Sequence, residues 1–353
     1  MKIDITLTTT PKARPDQNNL GFGNYFTDHM FIMNYSDGKG WYTPRIVPYA
    51  PLSLDPASMV FHYGQEVFEG LKAYRSDEGK VLLFRPDKNM ARLNVSNERL
   101  CIPQIDEKFA IEAIKTLVNT DKSWIPTAPE TSLYIRPFII AVDPFVGVRA
   151  SNEYLFIIIL SPVGAYYKEG LSPIKIYVEN EYVRAVRGGL GHTKAGANYA
   201  ASLAAQNKAK KMNYSQVMWL DGIEQKYIEE VGTTNVFFKI NGTYVTPALG
   251  GSILSGVTRM SVIELLKSWG CKVEERKLSI DELVAANENG TFEEAFATGT
   301  AAVVSPIGEL RYGEKILNIN NGKIGENTQK IYNELTSIQW GKKKGPDGWS
   351  VEI

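Results

Sequence analysis

Apolar positions recur along this chain in two rhythms, and the changes between them lay out its elements. Lys80-Val-Leu-Leu-Phe-Arg85 is a short apolar run between charges and reads as a buried strand. Residues 87–100 then take a helical spacing. Met90, Leu93 and Val95 form a rough face, and Asp87 is placed to cap the first turn. A clearer helix covers 106–119, where Phe109, Ala113 and Leu117 lie beside Ile111, Ile114 and Val118. Stretches 132–142 and 154–160 are rich in Ile, Leu, Phe and Tyr and predict central strands. The second half opens with a strand at 174–179 and a glycine-rich turn at 187–196. An Ala-rich helix follows at 199–211, with Asn198 as its cap and Lys208, Lys210 and Lys211 in its last turn, where they suit the helix dipole. Further strands are predicted at 216–220, 236–240, 244–246, 272–276 and 295–304, and helices at 257–269, 280–287 and 327–338.

Two prolines and two glycines between Ser161 and Pro173 break any regular element there. The chain therefore divides into an N-terminal domain (1–161), a linker (162–173) and a C-terminal domain (174–353). Both halves mix strands and helices, an α+β or α/β organisation, and two such units favour a site in the cleft between them. Composition removes other classes. Lys plus Arg equals Asp plus Glu at 39 each, so no basic excess points to nucleic acid. The longest aliphatic and aromatic run, Tyr154 to Leu160, is far below the ~20 residues of a membrane helix. The N-terminus lacks the apolar core of a signal peptide, and only Cys101 and Cys271 occur, so a reducing cytoplasm is the expected home. Three histidines without a Cys cluster or HExxH give no metal site.

Four segments depart from simple packing. In Gly188-Gly-Leu-Gly-His-Thr-Lys-Ala-Gly-Ala-Asn-Tyr199, Lys194 sits in a tight turn just ahead of a helix. It fits neither GxGxxG nor a Walker A loop. A lysine so placed serves as a nucleophile if its surroundings lower its pKa, although a solvated surface turn is the commoner meaning of such a pattern. In Tyr227-Ile-Glu-Glu-Val-Gly-Thr-Thr-Asn235, Glu229 and Glu230 on a strand face opposite ways, so that one can face solvent while the other points into a cleft. A buried carboxylate needs a cationic partner, and a protonated pyridine nitrogen serves as well as an arginine. Leu254-Ser-Gly-Val-Thr-Arg259 before a helix makes an anion seat or an ordinary cap. Ala297-Thr-Gly-Thr-Ala-Ala302 places small residues where a turn or bulge lets a ligand approach. Arg92 and Arg136 complete the set. Arg136 lies mid-strand in Tyr134-Ile-Arg-Pro137 and requires an anion, from substrate or from protein.

Taken together, Lys194 with Tyr199, Glu230-Val-Gly-Thr-Thr-Asn235, Thr246 and Leu254-Ser-Gly-Val-Thr-Arg259 resemble the class IV pyridoxal-phosphate aminotransferases in order and separation. Phe61-His-Tyr-Gly-Gln-Glu-Val-Phe-Glu-Gly-Leu-Lys-Ala-Tyr74, Phe26-Thr-Asp-His-Met30 and Tyr134-Ile-Arg-Pro137 narrow the likeness to the branched-chain amino acid aminotransferases. It runs from Phe22 to Ile338. Tyr244 departs from the usual aliphatic residue. Ala302 and Ser305 stand where mammalian members carry a redox-active CxxC, so a thiol switch is expected to be absent.

The resemblance implies a two-domain fold-type IV enzyme: a smaller N-terminal α/β domain, a larger mixed β-barrel-like C-terminal domain, and pyridoxal 5′-phosphate in the cleft. It implies transamination of leucine, isoleucine and valine with 2-oxoglutarate by a ping-pong route, with Lys194 holding the cofactor as a Schiff base and acting as general base. Tyr199 would meet the phenolic oxygen and Glu230 the ring nitrogen. Arg92, the Val257 and Thr258 amides and the Thr300 hydroxyl would hold the phosphate, with Thr233 of the same motif among the cofactor contacts. The Thr300 and Ala301 amides would bind the substrate α-carboxylate. Phe22, Tyr63, Phe68, Tyr134 and Tyr166 would wall the side-chain pocket, with Arg136 receiving the glutamate carboxylate. Tyr63 and the loop bearing Val146 and Val148 would come from the other subunit of a homodimer. Competing expectations are a D-amino acid aminotransferase, an aminodeoxychorismate lyase, or a catalytically silent relative that only binds.

Overall fold

Strand pairing sorts the elements into two nine-stranded sheets, one in each of two units, in a computed structural model that describes residues 1–164, 166 and 171–353. In the first unit the strand order is Asp4–Ile5, Gly40–Pro48, His29–Ser36, Glu153–Val163, Ser132–Ala141, Leu71–Arg75, Val81–Phe84 and Ser350–Glu352, with Glu66–Phe68 also paired to Ser132–Ala141. All pairs are antiparallel except the first. Side-chain alternation explains why both faces are apolar. Phe31, Ile139, Phe156 and Ile158 join the core under the helices Pro86–Arg99 and Glu107–Thr120, together with Met90, Leu93, Ile114 and Leu117. The intervening Met30, Ile32, Ile140 and Ile157 form a second cluster.

The second unit orders Ile228–Val231, Gln216–Leu220, Ile174–Val178, Val303–Tyr312, Phe292–Gly299, Asn235–Ile240, Thr243–Thr246 and Val273–Glu275, with Lys315–Asn318 on the side of Val303–Tyr312. This sheet is mixed. Ile174–Val178 runs parallel to both of its neighbours, and Thr243–Thr246 runs parallel to Val273–Glu275. Val236, Phe238, Ala295, Ala297, Ile307 and Leu310 pack with Ile280, Leu283 and Val284 of the helix Ile280–Glu288. Ala205 and Ala209 of the helix Gly196–Lys211 pack on Val217 and Trp219. The small alanines are what let that helix lie close to its strand.

Several predicted boundaries shift for identifiable reasons. Asp106 caps its helix by accepting the Phe109 amide. Asp87, expected to play that role for Pro86–Arg99, does not. Pro86 starts the helix with its fixed φ, and Arg85 precedes it at φ 47° with no side-chain cap. Asn198 is not a cap either, because the helix begins at Gly196 and the Asn198 side-chain Nδ2 donates to the Leu190 carbonyl. The single strand expected at 295–304 is a hairpin, Phe292–Gly299 and Val303–Tyr312, turning at Thr300–Ala302. Val303 has φ 62°, a costly conformation for a β-branched residue. The hairpin His29–Ser36 and Gly40–Pro48 carries Asn34, Tyr35, Thr43 and Arg45 among its apolar residues, which blurred its alternation.

The division by contacts also differs from a linear one. Thr193–Gly196 and Ser337–Ile353 group with the N-terminal unit, which makes it the larger of the two. Ser350–Glu352 adds an edge strand beside Val81–Phe84, while Trp340 packs on Tyr74 and Trp349 on Phe84. Within the expected linker, Val163 still belongs to a strand, and positions 165 and 167–170 lie outside the described residues.

Candidate active site

In the first unit, Lys194 sits where a charged amine is disfavoured. Its pKa is lowered to about 8, chiefly by burial and then by the Arg92 cation, with Glu69 opposing. The Lys194 Nζ lies 4.8 Å from the centre of the Phe68 ring. Its backbone is fixed from both sides. The Lys194 amide donates to the Ser96 hydroxyl at 2.9 Å, and the Phe68 amide donates to the Lys194 carbonyl at 3.0 Å. Arg92 meets the fully buried Glu69 as a fork, Nε to Oε1 at 2.8 Å and a terminal nitrogen to Oε2 at 2.9 Å, and Asn89 adds a third donor at 2.8 Å. These donors hold the Glu69 carboxyl below its ordinary range despite burial.

Beside this cluster lies an aromatic and cationic wall. Arg136 stands 4.7 Å from the Phe68 ring centre and 5.4 Å from that of Tyr134, and donates to the Tyr134 hydroxyl at 3.2 Å. Its Nε is buried without a hydrogen-bond partner, and it makes no ion pair among the described residues. Phe22 meets Tyr134 edge-on at 4.9 Å. Gly70 is required here, since a Cβ would come within 2.0 Å of the Tyr134 oxygen. Glu66 accepts the Gly196 amide, and burial pushes its carboxyl up. Tyr63 donates to the Val146 carbonyl, and Tyr63, Val146, Val148 and Tyr166 are exposed.

In the second unit the anchor is Glu230 on Ile228–Val231. Its Oε2 pairs with the Arg184 Nε at 2.8 Å, and its Oε1 accepts the Leu254 amide at 3.0 Å and the Asn235 side chain at 3.2 Å. Arg184 also donates to the Gly191 carbonyl at 2.9 Å and to the Ser252 carbonyl. Gly256 begins the helix Val257–Ser268 without a side-chain cap, and a Cβ there would come within 2.0 Å of Asn235 Oδ1. The Val257 and Thr258 amides thus open the helix without a side-chain cap among the described residues. Tyr199 lies on the first turn of Gly196–Lys211, and Thr300 and Ala301 lie on the hairpin turn. Thr233 is exposed. Its neighbour Thr234 is the one held, through its hydroxyl to the Val231 carbonyl at 2.6 Å.

The family described as amino-transferase class IV matches residues 66–310. Branched-chain-amino-acid aminotransferase 2 of Bacillus subtilis (strain 168) is 62% identical over 351 residues, covering 99% of this chain and 97% of its own. The chain belongs to the class IV aminotransferases, among the branched-chain-amino-acid aminotransferases. Solved structures agree on the fold. The branched-chain amino acid aminotransferase of Escherichia coli superposes with a TM-score of 0.76 at 28% identity, over 92% of this chain and 98% of its own. That of Thermobaculum terrenum, solved in its PLP form, superposes at 0.73 with 23% identity, over 91% of this chain and 97% of its own. The mixed two-sheet architecture is therefore the fold-type IV architecture expected from the sequence.

Measured against this aminotransferase, sequence reasoning misplaced one carboxylate and missed several supports. Glu229 does not face solvent. It is buried like its neighbour, accepts the Ser252 hydroxyl, and is pushed up by burial with Ser252 and Arg184 opposing. Alternation on the strand is real, but both faces of this strand are covered. Glu69, Arg184 and Asn235 hold the expected residues in place. Glu69 stands in Phe68-Glu-Gly-Leu71 as a lone acid amid apolar neighbours, which is a signal for a buried pair. Nothing in the local pattern around Arg184 marks it. Lys72 was also missed, and burial lowers it to about 8.

The aminotransferase should be indifferent to thiol chemistry. Ala302 and Ser305 are both buried and cannot oxidise, and Cys101 and Cys271 are free thiols in different units. Assaying activity after mild peroxide and again after dithiothreitol should give the same rate, whereas a reversible oxidative loss would contradict this.

Proposed function

We propose that this aminotransferase moves the amino group of leucine, isoleucine and valine to 2-oxoglutarate, giving branched-chain 2-oxo acids and L-glutamate by a ping-pong route. The residues present fit pyridoxal 5′-phosphate. The second unit offers a fixed carboxylate and an uncapped helix start, and the first offers a lysine held near neutrality. The cofactor, when bound, supplies an aldehyde carbon that carries the amino group and a ring that withdraws electrons. Lys194 is the observation that carries the reading, since a lysine lowered to about 8 can be both nucleophile and proton carrier near neutral pH.

The chain's own residues divide the remaining work. Lys194 takes the proton from the substrate α-carbon and returns one. Glu230 keeps the ring nitrogen protonated, and Arg184 and Asn235 keep Glu230 oriented. Tyr199 donates to the phenolic oxygen. Arg92, itself held by Glu69, the Val257 and Thr258 amides and the Thr300 hydroxyl hold the phosphate. The Thr300 and Ala301 amides receive the α-carboxylate. Phe22, Phe68 and Tyr134 line the aliphatic side-chain pocket, with Tyr166 at its edge. We place the enzyme in the cytoplasm as a homodimer. Exposed Phe61, Phe145, Val146 and Val148, with Tyr63 tied to Val146, supply an apolar face for a partner subunit. No described helix is long and apolar enough to cross a membrane.

Arg136 tests the dual specificity. Glu66 acts on it only through space and no described carboxylate forms an ion pair with it, so the glutamate side chain is its expected anion. Arg136→Met removes a charge-assisted hydrogen bond of roughly 1.5–3 kcal/mol, or about ten- to a hundredfold in kcat/KM for glutamate. Leucine makes no such bond and should lose much less. Single-turnover rates measured separately with each amino acid decide it, and equal losses would make Arg136 structural.

A further inference from the structure

A cavity of about 460 Å³ opens in the second unit, within the range of small-molecule pockets (about 300–1,000 Å³). None of Lys194, Tyr199, Glu230, Val257, Thr258 or Thr300 lines it. Its charged lining is balanced. Arg187 and Lys277 contribute two cations, and Asp221 and Glu229 two carboxyls. The carboxyls are not equivalent. Asp221 is saturated by the amides of Ile223, Glu224, Lys226 and Tyr227. Glu229 is only 8% exposed, its Oε1 accepts the Ser252 hydroxyl, and its enclosed Oε2 has no hydrogen-bond partner among the described residues, which leaves the carboxyl short of donors. Ile223, Leu249 and Ile253 give the cavity an apolar side.

We propose that this cavity binds a free zwitterionic α-amino acid with an aliphatic side chain, apart from the transamination site. The ammonium group meets the Glu229 carboxyl on its Ser252 side, the carboxylate meets Arg187 and Lys277, and the side chain rests on the apolar side. The paired charges argue against other ligands. A phosphate-like dianion would face Asp221 and Glu229, and a bare cation would face Arg187 and Lys277. The site is independent of turnover and goes beyond the proposed reaction.

The probe is 2-methylleucine, which has no α-hydrogen to lose and so cannot be transaminated. Calorimetric titration of the cofactor-loaded wild type should show one equivalent more per chain than either Glu229→Gln or the double variant Arg187→Ala/Lys277→Ala. Glutamine can still accept from Ser252, and the two cations are exposed, so neither change should unfold the chain. Leucine turnover in the double variant should stay within twofold of wild type, which separates loss of this site from loss of the catalytic reading. Retention of the same stoichiometry by either variant would overturn the proposal.

Discussion

Lys194→Ala should lower leucine–2-oxoglutarate turnover by at least about 10²–10⁴-fold, the range that a positioned proton carrier contributes. The true loss is expected at the upper end, because the same amine also serves as nucleophile. Folding should not suffer. Lys194 is lowered from 10.5 to about 8 in the folded chain, so below pH 8 its charge is carried at a cost, and wild-type stability should rise between about pH 8 and 10.5. Removing the amine removes that cost, so the cofactor-free variant should melt no lower than wild type at pH 7. The Arg92 and helix-start contacts should still retain the cofactor noncovalently. Steady-state rates and melting curves on the same preparations check both halves, and turnover within tenfold of wild type would sink the assignment.

Glu230→Gln should cost on the order of 10²–10³ in kcat, as loss of a preorganised electrostatic partner does. A neutral amide cannot hold the ring nitrogen protonated. It should also cost stability, because Arg184 is buried and loses its direct ion-pair partner, keeping only the through-space charge of Glu229. Breaking a buried pair from one side costs about 3–5 kcal/mol. Glu229→Gln should spare kcat by comparison, although it too is buried, since its contacts run to Ser252 and not to the Leu254 amide. Parallel measurement of kcat, cofactor retention and denaturation midpoints for the two variants separates charge from folding. Greater severity at Glu229 would exchange their roles.

Much of this was legible in the chain because the chemistry is local in sequence. Lys194 and Tyr199 share one turn and helix start, Glu230 heads a strand, and Gly256, Val257 and Thr258 are consecutive. Strands such as Gln216–Leu220 stand where their apolar run put them. What local pattern cannot carry is pairing over distance. Arg184 reaches Glu230 from a different segment, Glu69 reaches Arg92 across 23 positions, and Ser350–Glu352 finds Val81–Phe84 from the other end of the chain. The facing of Glu229 failed for a related reason. Period two says that neighbours point opposite ways, but whether the second side is wet depends on what packs there, here the segment holding Ser252. Turn chemistry was the other gap. The small residues before Val303 signalled a bend, yet a valine at positive φ is the last residue propensity would choose for one.

The Glu69–Arg92 fork has an evolutionary meaning. With Glu69 fully enclosed and Arg92 nearly so, a lineage that loses the acid strands a cation, and one that loses the base strands an anion. A single substitution at either position is therefore expected to cost more than replacing both together, a coupling that a double-mutant cycle on melting temperature would register.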